Sequence, residues 1–158
     1  LANISFGQGS LMATPIHIAR IISAIANGGY LVNPTLVLGE VDSDGNVKGN
    51  ENGQKTSIIP SSVASKIKEF MILTVSQGTG RSARPENLMA GGKTASAETG
   101  WNINGENIVQ AWFSGFYPAE KPQYAIVVLS EAGNSGAVSC APIFKEICDN
   151  LYEKGFCK

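Results

Sequence analysis

The segment Gly91-Gly92-Lys93-Thr94-Ala95-Ser96-Ala97-Glu98 carries the densest chemistry in the sequence. A lysine followed by two hydroxyl residues, with small residues between them, suits the binding of a carboxylate. Lysine supplies the charge and the hydroxyls supply directed donors. Glycine and alanine leave room for close approach of a backbone. The plain structural alternative is a glycine-rich turn with a solvated lysine. Gly92-Lys93-Thr94 also matches the end of a phosphate-binding loop, which would make a nucleotide the ligand. That motif requires a glycine five residues before Gly92, and the position holds Asn87.

Other candidates are weaker. Ser65 and Lys68 have the Ser-x-x-Lys spacing of an acylated serine and its base. On a helix, however, Ser65 lies about 200° from Val63, away from the apolar side. A nucleophilic serine must sit partly buried beside its base, so this pair reads as a solvated helix face. His17 is the sole histidine, so a Ser-His-Asp triad has only this residue to build on. It falls off the isoleucine face of its helix and reads as a surface or cap residue. Glu98 is a candidate buried acid. Cys140, Cys148 and Cys157 lie near the C-terminal end without a CxxC pair, which argues against a zinc site, and the helical spacing of the first two points to core packing. No metal and no cofactor are expected.

The elements that must position Lys93 follow from periodicity. Thr14-Pro15 is a helix start, with a hydroxyl cap and proline in the first turn, and Ile18, Ile21, Ile22 and Ile25 form one apolar face. Gly28-Gly29 ends that helix. Tyr30 to Val41 reads as extended, and Asp42 to Gln54 as a polar surface excursion. A second helix begins at Ser61 or Ser62, with Val63, Ile67, Phe70, Met71 and Val75 on one side, and stops before Gly78-Thr79-Gly80. Lys93 to Thr99 is a short strand, and Asn104-Gly105 is a hairpin signal. Gln110–Tyr117 and Tyr124–Ser130 are the clearest strands. Ala125 to Leu129 is apolar without alternation, as in a central strand covered on both faces. A closing helix presents Cys140, Phe144, Ile147 and Leu151, and Pro142 fits it only in the first turn. Helices segregated from an antiparallel sheet of at least three strands give an α+β class.

The chain has 158 residues, 16% of them charged, with a net charge of −1 and no basic run. Such a chain builds a sizeable core and lacks the basic surface that nucleic acid demands. It has neither a bilayer-length apolar run nor a signal peptide, and it opens mid-pattern at Leu1, as part of something longer does. Residues 1–158 show no internal boundary.

Lys93-Thr94-Ala95-Ser96-Ala97-Glu98 resembles the Lys-Thr-Gly-Thr-Ala-Glu motif of penicillin-binding proteins. Further segments resemble that family in the same order. They are Ile4-Ser5-Phe6-Gly7-Gln8-Gly9, Ala13-Thr14-Pro15-Ile16, Ala24-Ile25-Ala26-Asn27-Gly28-Gly29-Tyr30, Gly78-Thr79-Gly80, Ala111-Trp112-Phe113-Ser114-Gly115-Phe116 and Ala141-Pro142-Ile143-Phe144. The likeness covers nearly the whole chain and is strongest to monofunctional (class B) transpeptidases.

The resemblance implies a partial β-lactamase/transpeptidase-like fold. It also implies a C-terminal portion of one transpeptidase domain, from a peptidoglycan D,D-transpeptidase that β-lactams acylate. In the family a serine attacks the D-Ala-D-Ala carbonyl of a stem peptide, and an amine of a neighbouring stem then resolves the acyl-enzyme. Lys93 would supply positive potential and assist proton movement. The Thr94 and Ser96 hydroxyls would hold the carboxylate beside Ala95, and the Ser96 N–H would form half of the oxyanion hole. Glu98 reads as structural in this frame. Ala95 stands where the family usually has glycine, and Ser96 where it usually has threonine. The Ser-x-x-Lys and Ser-x-Asn motifs that the family places upstream have no counterpart here, so no nucleophile is assigned and this chain alone is expected to be inactive. The implied parent works at the extracytoplasmic face of the bacterial membrane, held by an upstream transmembrane segment. The missing N-terminal half of the domain is the expected partner, with self-association of the isolated chain through the uncovered surface. A non-catalytic penicillin-binding-like module is the competing reading.

Overall fold

A computed structural model describes residues 12–37, 39–49, 56–103 and 105–157. Ile4 to Gly9 and Asn104 of the hairpin signal lie outside them. Helix α1 (Pro15–Ala26) begins where expected: Thr14 Oγ1 accepts the His17 backbone N–H, and Pro15 occupies the first turn. Asn27 closes the helix by clasping Tyr30, with Tyr30 N–H to Asn27 Oδ1 at 2.9 Å and Asn27 Nδ2 to Tyr30 O at 2.8 Å. Gly29 is required here twice over. Its φ is +106°, and a Cβ would stand 2.1 Å from the Ile59 carbonyl oxygen. Arg20 then fastens the outgoing segment to the helix through Val32 O at 3.0 Å and Asn33 Oδ1 at 2.8 Å.

The polar excursion contains a small ribbon, β1 (Gly39–Val41) antiparallel to β2 (Val47–Gly49). Asp42 ties its turn by accepting the Asp44 and Asn46 amides at 3.0 and 2.9 Å. The Asn46 hydrogen bonds outweigh the small effect of burial and hold the Asp42 carboxyl below its ordinary value.

Helix α2 (Ser61–Ser76) buries Ala64, Met71 and Val75. Val63 and Phe70, on the apolar side read from the sequence, are 45% and 56% exposed. The buried stripe is centred about 100° from those two positions, one residue further round the helix. Ile21 of α1 is likewise exposed, at the flank of a face centred on Ile18, Ile22 and Ile25.

Strand β3 (Gly91–Ile103) is longer than the expected Lys93–Thr99. It forms a hairpin with β4 (Glu106–Tyr117), which pairs antiparallel with β5 (Tyr124–Ser130). The order is β3-β4-β5. Thus β4 lies between the other two, and β5 has β4 as its one strand partner among the described residues. Its unbroken apolar pattern fits the expected cover on both faces. Every β5 residue is half-buried, because α1 packs on one face of the strand and α3 (Ala141–Glu153) on the other.

Two apolar clusters result. One joins the sheet to α1 and α2 through Ile22, Met71, Phe116 and Ala119. The other joins it to α3 through Phe113, Tyr117, Phe144, Cys140, Cys148 and Cys157, with the Phe113 and Phe144 rings 4.7 Å apart. Cys140 and Cys148 are core residues, as their spacing suggested, Cys157 joins them there, and burial pushes all three thiols up from their ordinary value. A π-turn (Gly136–Cys140) leads into α3, and Pro142 falls in the helix's first turn. The class is α+β, as expected. Among the described residues no helix is long and apolar enough to cross a membrane.

Candidate active-site strand

The lysine segment is the N-terminal half of β3, at one end of the sheet. Its two glycines are dictated by the neighbouring strand. A Cβ on Gly91 would lie 2.2 Å from Phe116 Cζ, and one on Gly92 2.5 Å from Phe113 Cε1. The room that glycine leaves is therefore filled by the protein's own aromatic rings.

From Lys93 onward, side chains alternate between faces. Lys93, Ala95 and Ala97 pair with Ser114, Trp112 and Gln110 on one face, while Thr94 and Ser96 pair with Phe113 and Ala111 on the other. Lys93 is exposed, and its ammonium folds onto its own strand to donate to the Thr94 carbonyl. It makes no ion pair among the described residues.

The Ala95 methyl points away from the two hydroxyls. It faces a cleft of about 420 Å³ that Met12, Ile18, Ala97, Trp112 and Ser114 also line. Another hollow, about 470 Å³, lies along the outer side of α3 between Ile143, Ile147 and Phe156, away from the lysine strand.

Two contacts fix the hydroxyl face. Thr94 Oγ1 is 3.1 Å from Thr79 Oγ1, in the turn after α2. Ser96 Oγ accepts the Gly136 N–H at 3.4 Å. Gly136 comes this close because it has no side chain: a Cβ there would lie 2.1 Å from Trp112 O and 2.8 Å from Ala95 O. In the sequence Thr79 is marked only as part of a turn, and Gly136 is not singled out. The signal for Thr79 was a hydroxyl held between two glycines.

The remaining candidates fall away from this strand's hydroxyls. Ser65 is exposed on α2, Lys66 pairs with Glu69 at 3.0 Å, and Lys68 reaches the Glu120 carbonyl at 3.4 Å. His17 is exposed and contacts its own helix cap, Thr14, through Nδ1 at 3.1 Å. Glu98 is exposed rather than buried. Trp112 lines the cleft, while Phe113, Phe116 and Tyr117 are core. Gly92-Lys93-Thr94 lies inside a strand that continues to Ile103, so it is not the strand-to-helix loop that cradles a nucleotide phosphate.

A sheet end presenting a lysine and two hydroxyls, with helices on both faces, gives the α+β arrangement that the motifs implied. The family profile described as penicillin binding protein transpeptidase domain matches residues 2–149, and the chain belongs to that family. It is 32% identical to stage V sporulation protein D of Bacillus subtilis, across 98% of this chain and 25% of that protein. It is 30% identical to the peptidoglycan D,D-transpeptidase MrdA of Acinetobacter baumannii, across 93% of this chain and 23% of that one. Among solved structures, penicillin-binding protein 3 of Mycobacterium tuberculosis complexed with aztreonam superposes with a TM-score of 0.85 at 26% identity. That match covers 97% of this chain and 37% of that one. The family is the one the motifs pointed to. The chain spans about a quarter of the length of the relatives it matches, and so is part of a transpeptidase domain.

Proposed function

We propose that this chain supplies the lysine-strand side of the active site in a peptidoglycan D,D-transpeptidase, a serine acyl transferase that β-lactams acylate. The observation that carries the reading is the arrangement on β3. Lys93, Thr94 and Ser96 follow one another on a strand whose outer edge has no strand partner among the described residues. A stem peptide ending in D-Ala-D-Ala would lie along that edge as an added β-partner. Its terminal carboxylate would take hydrogen bonds from the Thr94 and Ser96 hydroxyls in the positive potential of Lys93.

The nucleophile in this reading is a serine outside residues 1–158, since Ser65 stands exposed on α2. Its oxygen attacks the penultimate D-Ala carbonyl, and the carbonyl oxygen becomes an oxyanion. The Ser96 N–H stabilises that charge as one of two donors, a contribution of about 3–4 kcal/mol for a typical donor of this kind. Collapse expels the terminal D-Ala with a proton, Lys93 assisting the transfer. The amine of a second stem then attacks the acyl-enzyme, forming the cross-link and freeing the serine. A β-lactam follows the first half, but its opened ring remains attached and the adduct persists.

The parent, in this reading, works outside the cytoplasmic membrane, anchored by a segment upstream of this chain. The rest of the domain covers apolar faces exposed here, including Phe70, Leu73 and Ile143. The isolated chain is inactive and self-associates through the same faces. The test is Lys93→Ala in the full-length protein, followed with a fluorescent penicillin. Acylation falls at least about 100-fold, the scale of a lost general acid–base group. Thermal stability stays unchanged, because Lys93 is exposed. Acylation at the parent's rate would remove Lys93 from the site.

A further inference from the structure

We infer that Thr79 is a positioning residue that sets the hydroxyl of Thr94 for carboxylate binding. The inference rests on the proposed reading of Thr94 and deepens it. The two threonines are fifteen residues apart on different elements, yet their Oγ1 atoms lie within 3.1 Å.

A hydroxyl has a single proton to donate and two lone pairs to accept with. For Thr94 to donate to a carboxylate, its proton must be free and its rotor turned outward. A donor at its own oxygen achieves both. With Thr79 donating, a relay runs from the Thr79 O–H to Thr94 Oγ1, and from the Thr94 O–H to the anion. Each bond in such a chain polarises the next. If Thr79 were absent, the Thr94 rotor would be free to aim elsewhere.

The backbone around Thr79 is built to hold it there. Gly78 N–H donates to Leu73 O and Thr74 O, both at 3.0 Å, and Gly80 N–H donates to Thr74 O at 3.0 Å. The turn is thereby folded back on the C-terminal end of α2, where helix carbonyls otherwise lack partners. A side chain would clash at Gly78 and crowd its neighbours at Gly80. A Cβ on Gly78 would come within 2.9 Å of Thr74 Cα, and one on Gly80 within 3.3 Å of Phe113 Cε2. Phe113 is in turn the cross-strand partner of Thr94. The ring that seats the Thr79 turn thus also backs the strand position that Thr79 addresses.

The experiment measures acylation of the full-length protein by penicillin, resolving apparent affinity from the limiting acylation rate. Thr79→Val weakens apparent affinity about 3- to 10-fold, the worth of one neutral hydrogen bond, with little change in the limiting rate. Thr79→Ala does the same if valine crowds the turn. Thr79→Ser, which keeps the hydroxyl, stays within about 2-fold of the parent on the same scale. In a Thr94→Val background, Thr79→Val costs nothing further, because its effect passes through Thr94. Parent-like affinity in Thr79→Val and Thr79→Ala, beside a defective Thr94→Val, overturns the positioning role and leaves the site reading standing. So does a Thr79 effect that persists in full without the Thr94 hydroxyl. Parent-like binding by Thr94→Val itself overturns the site reading, and this inference with it.

Discussion

Gly136 donates its backbone N–H to Ser96 Oγ at 3.4 Å, joining the turn before α3 to the lysine strand. Forty residues separate the two. The contact exists only because position 136 has no side chain. A methyl group would stand 2.1 Å from Trp112 O, against backbone that cannot turn aside. Gly136→Ala is therefore expected to push the π-turn off the sheet. The overpacking should cost about 1–3 kcal/mol, read as a lower unfolding midpoint of the full-length protein. Penicillin acylation should fall as well, since Ser96 loses a partner. An unchanged midpoint would show that the turn does not press on the strand as described.

Ala95 occupies the position where the family usually has glycine, and the added methyl invites the idea of a narrowed binding face. The alternation of β3 argues otherwise. The methyl lies on the Trp112 side, facing the cleft, while Thr94 and Ser96 lie on the other. Ala95→Gly should change penicillin acylation by less than about 3-fold. It should cost the fold about 0.5–1 kcal/mol through added freedom of the unfolded chain. A large gain in acylation would mean that the methyl does obstruct the ligand.

Tyr117 is fully buried, and among the described residues its Oη makes no hydrogen bond of good geometry, the Leu88 backbone being only weakly placed to pair it. Burial first, then the nearby Cys157 and Cys148, push its phenol up from 10.0 to about 12. The folded state thus retains a proton that the unfolded chain releases above its ordinary value. Stability from this group is complete below pH 10 and is lost as pH rises from 10 toward 12. Tyr117→Phe should flatten that part of the alkaline decline. It should also be neutral or stabilising at pH 7, because it removes a buried, poorly paired hydroxyl. Chemical denaturation of both proteins across this range is the check, and identical slopes would contradict the assignment.

The parts legible in sequence were those with local causes. The caps of α1, the position of Pro142 and the bounds of β5 all follow from residues within one or two turns. The motif around Lys93 was legible because its residue types are unusual together. The exposure of Val63 and Phe70 was not legible, because helical periodicity gives the width of an apolar stripe but not which part of it each neighbouring element covers. The cover on both faces of β5 was legible in its apolar run, whereas its order in the sheet was not, because such a run reports faces and says nothing about edges. Thr79 and Gly136 reach the lysine strand across fifteen and forty residues, and no local pattern encodes such contacts.

The central claim is that this chain carries the carboxylate-binding strand of a transpeptidase whose nucleophilic serine lies elsewhere in the protein. Intact mass after incubation with penicillin tests it most directly, on residues 1–158 alone and on the full-length protein. A one-to-one penicilloyl adduct is expected on the full-length protein and none on the isolated chain. An adduct on the isolated chain would return Ser65 or another of its serines to the role of nucleophile. No adduct on either would contradict the enzyme reading and favour a non-catalytic module of the same fold.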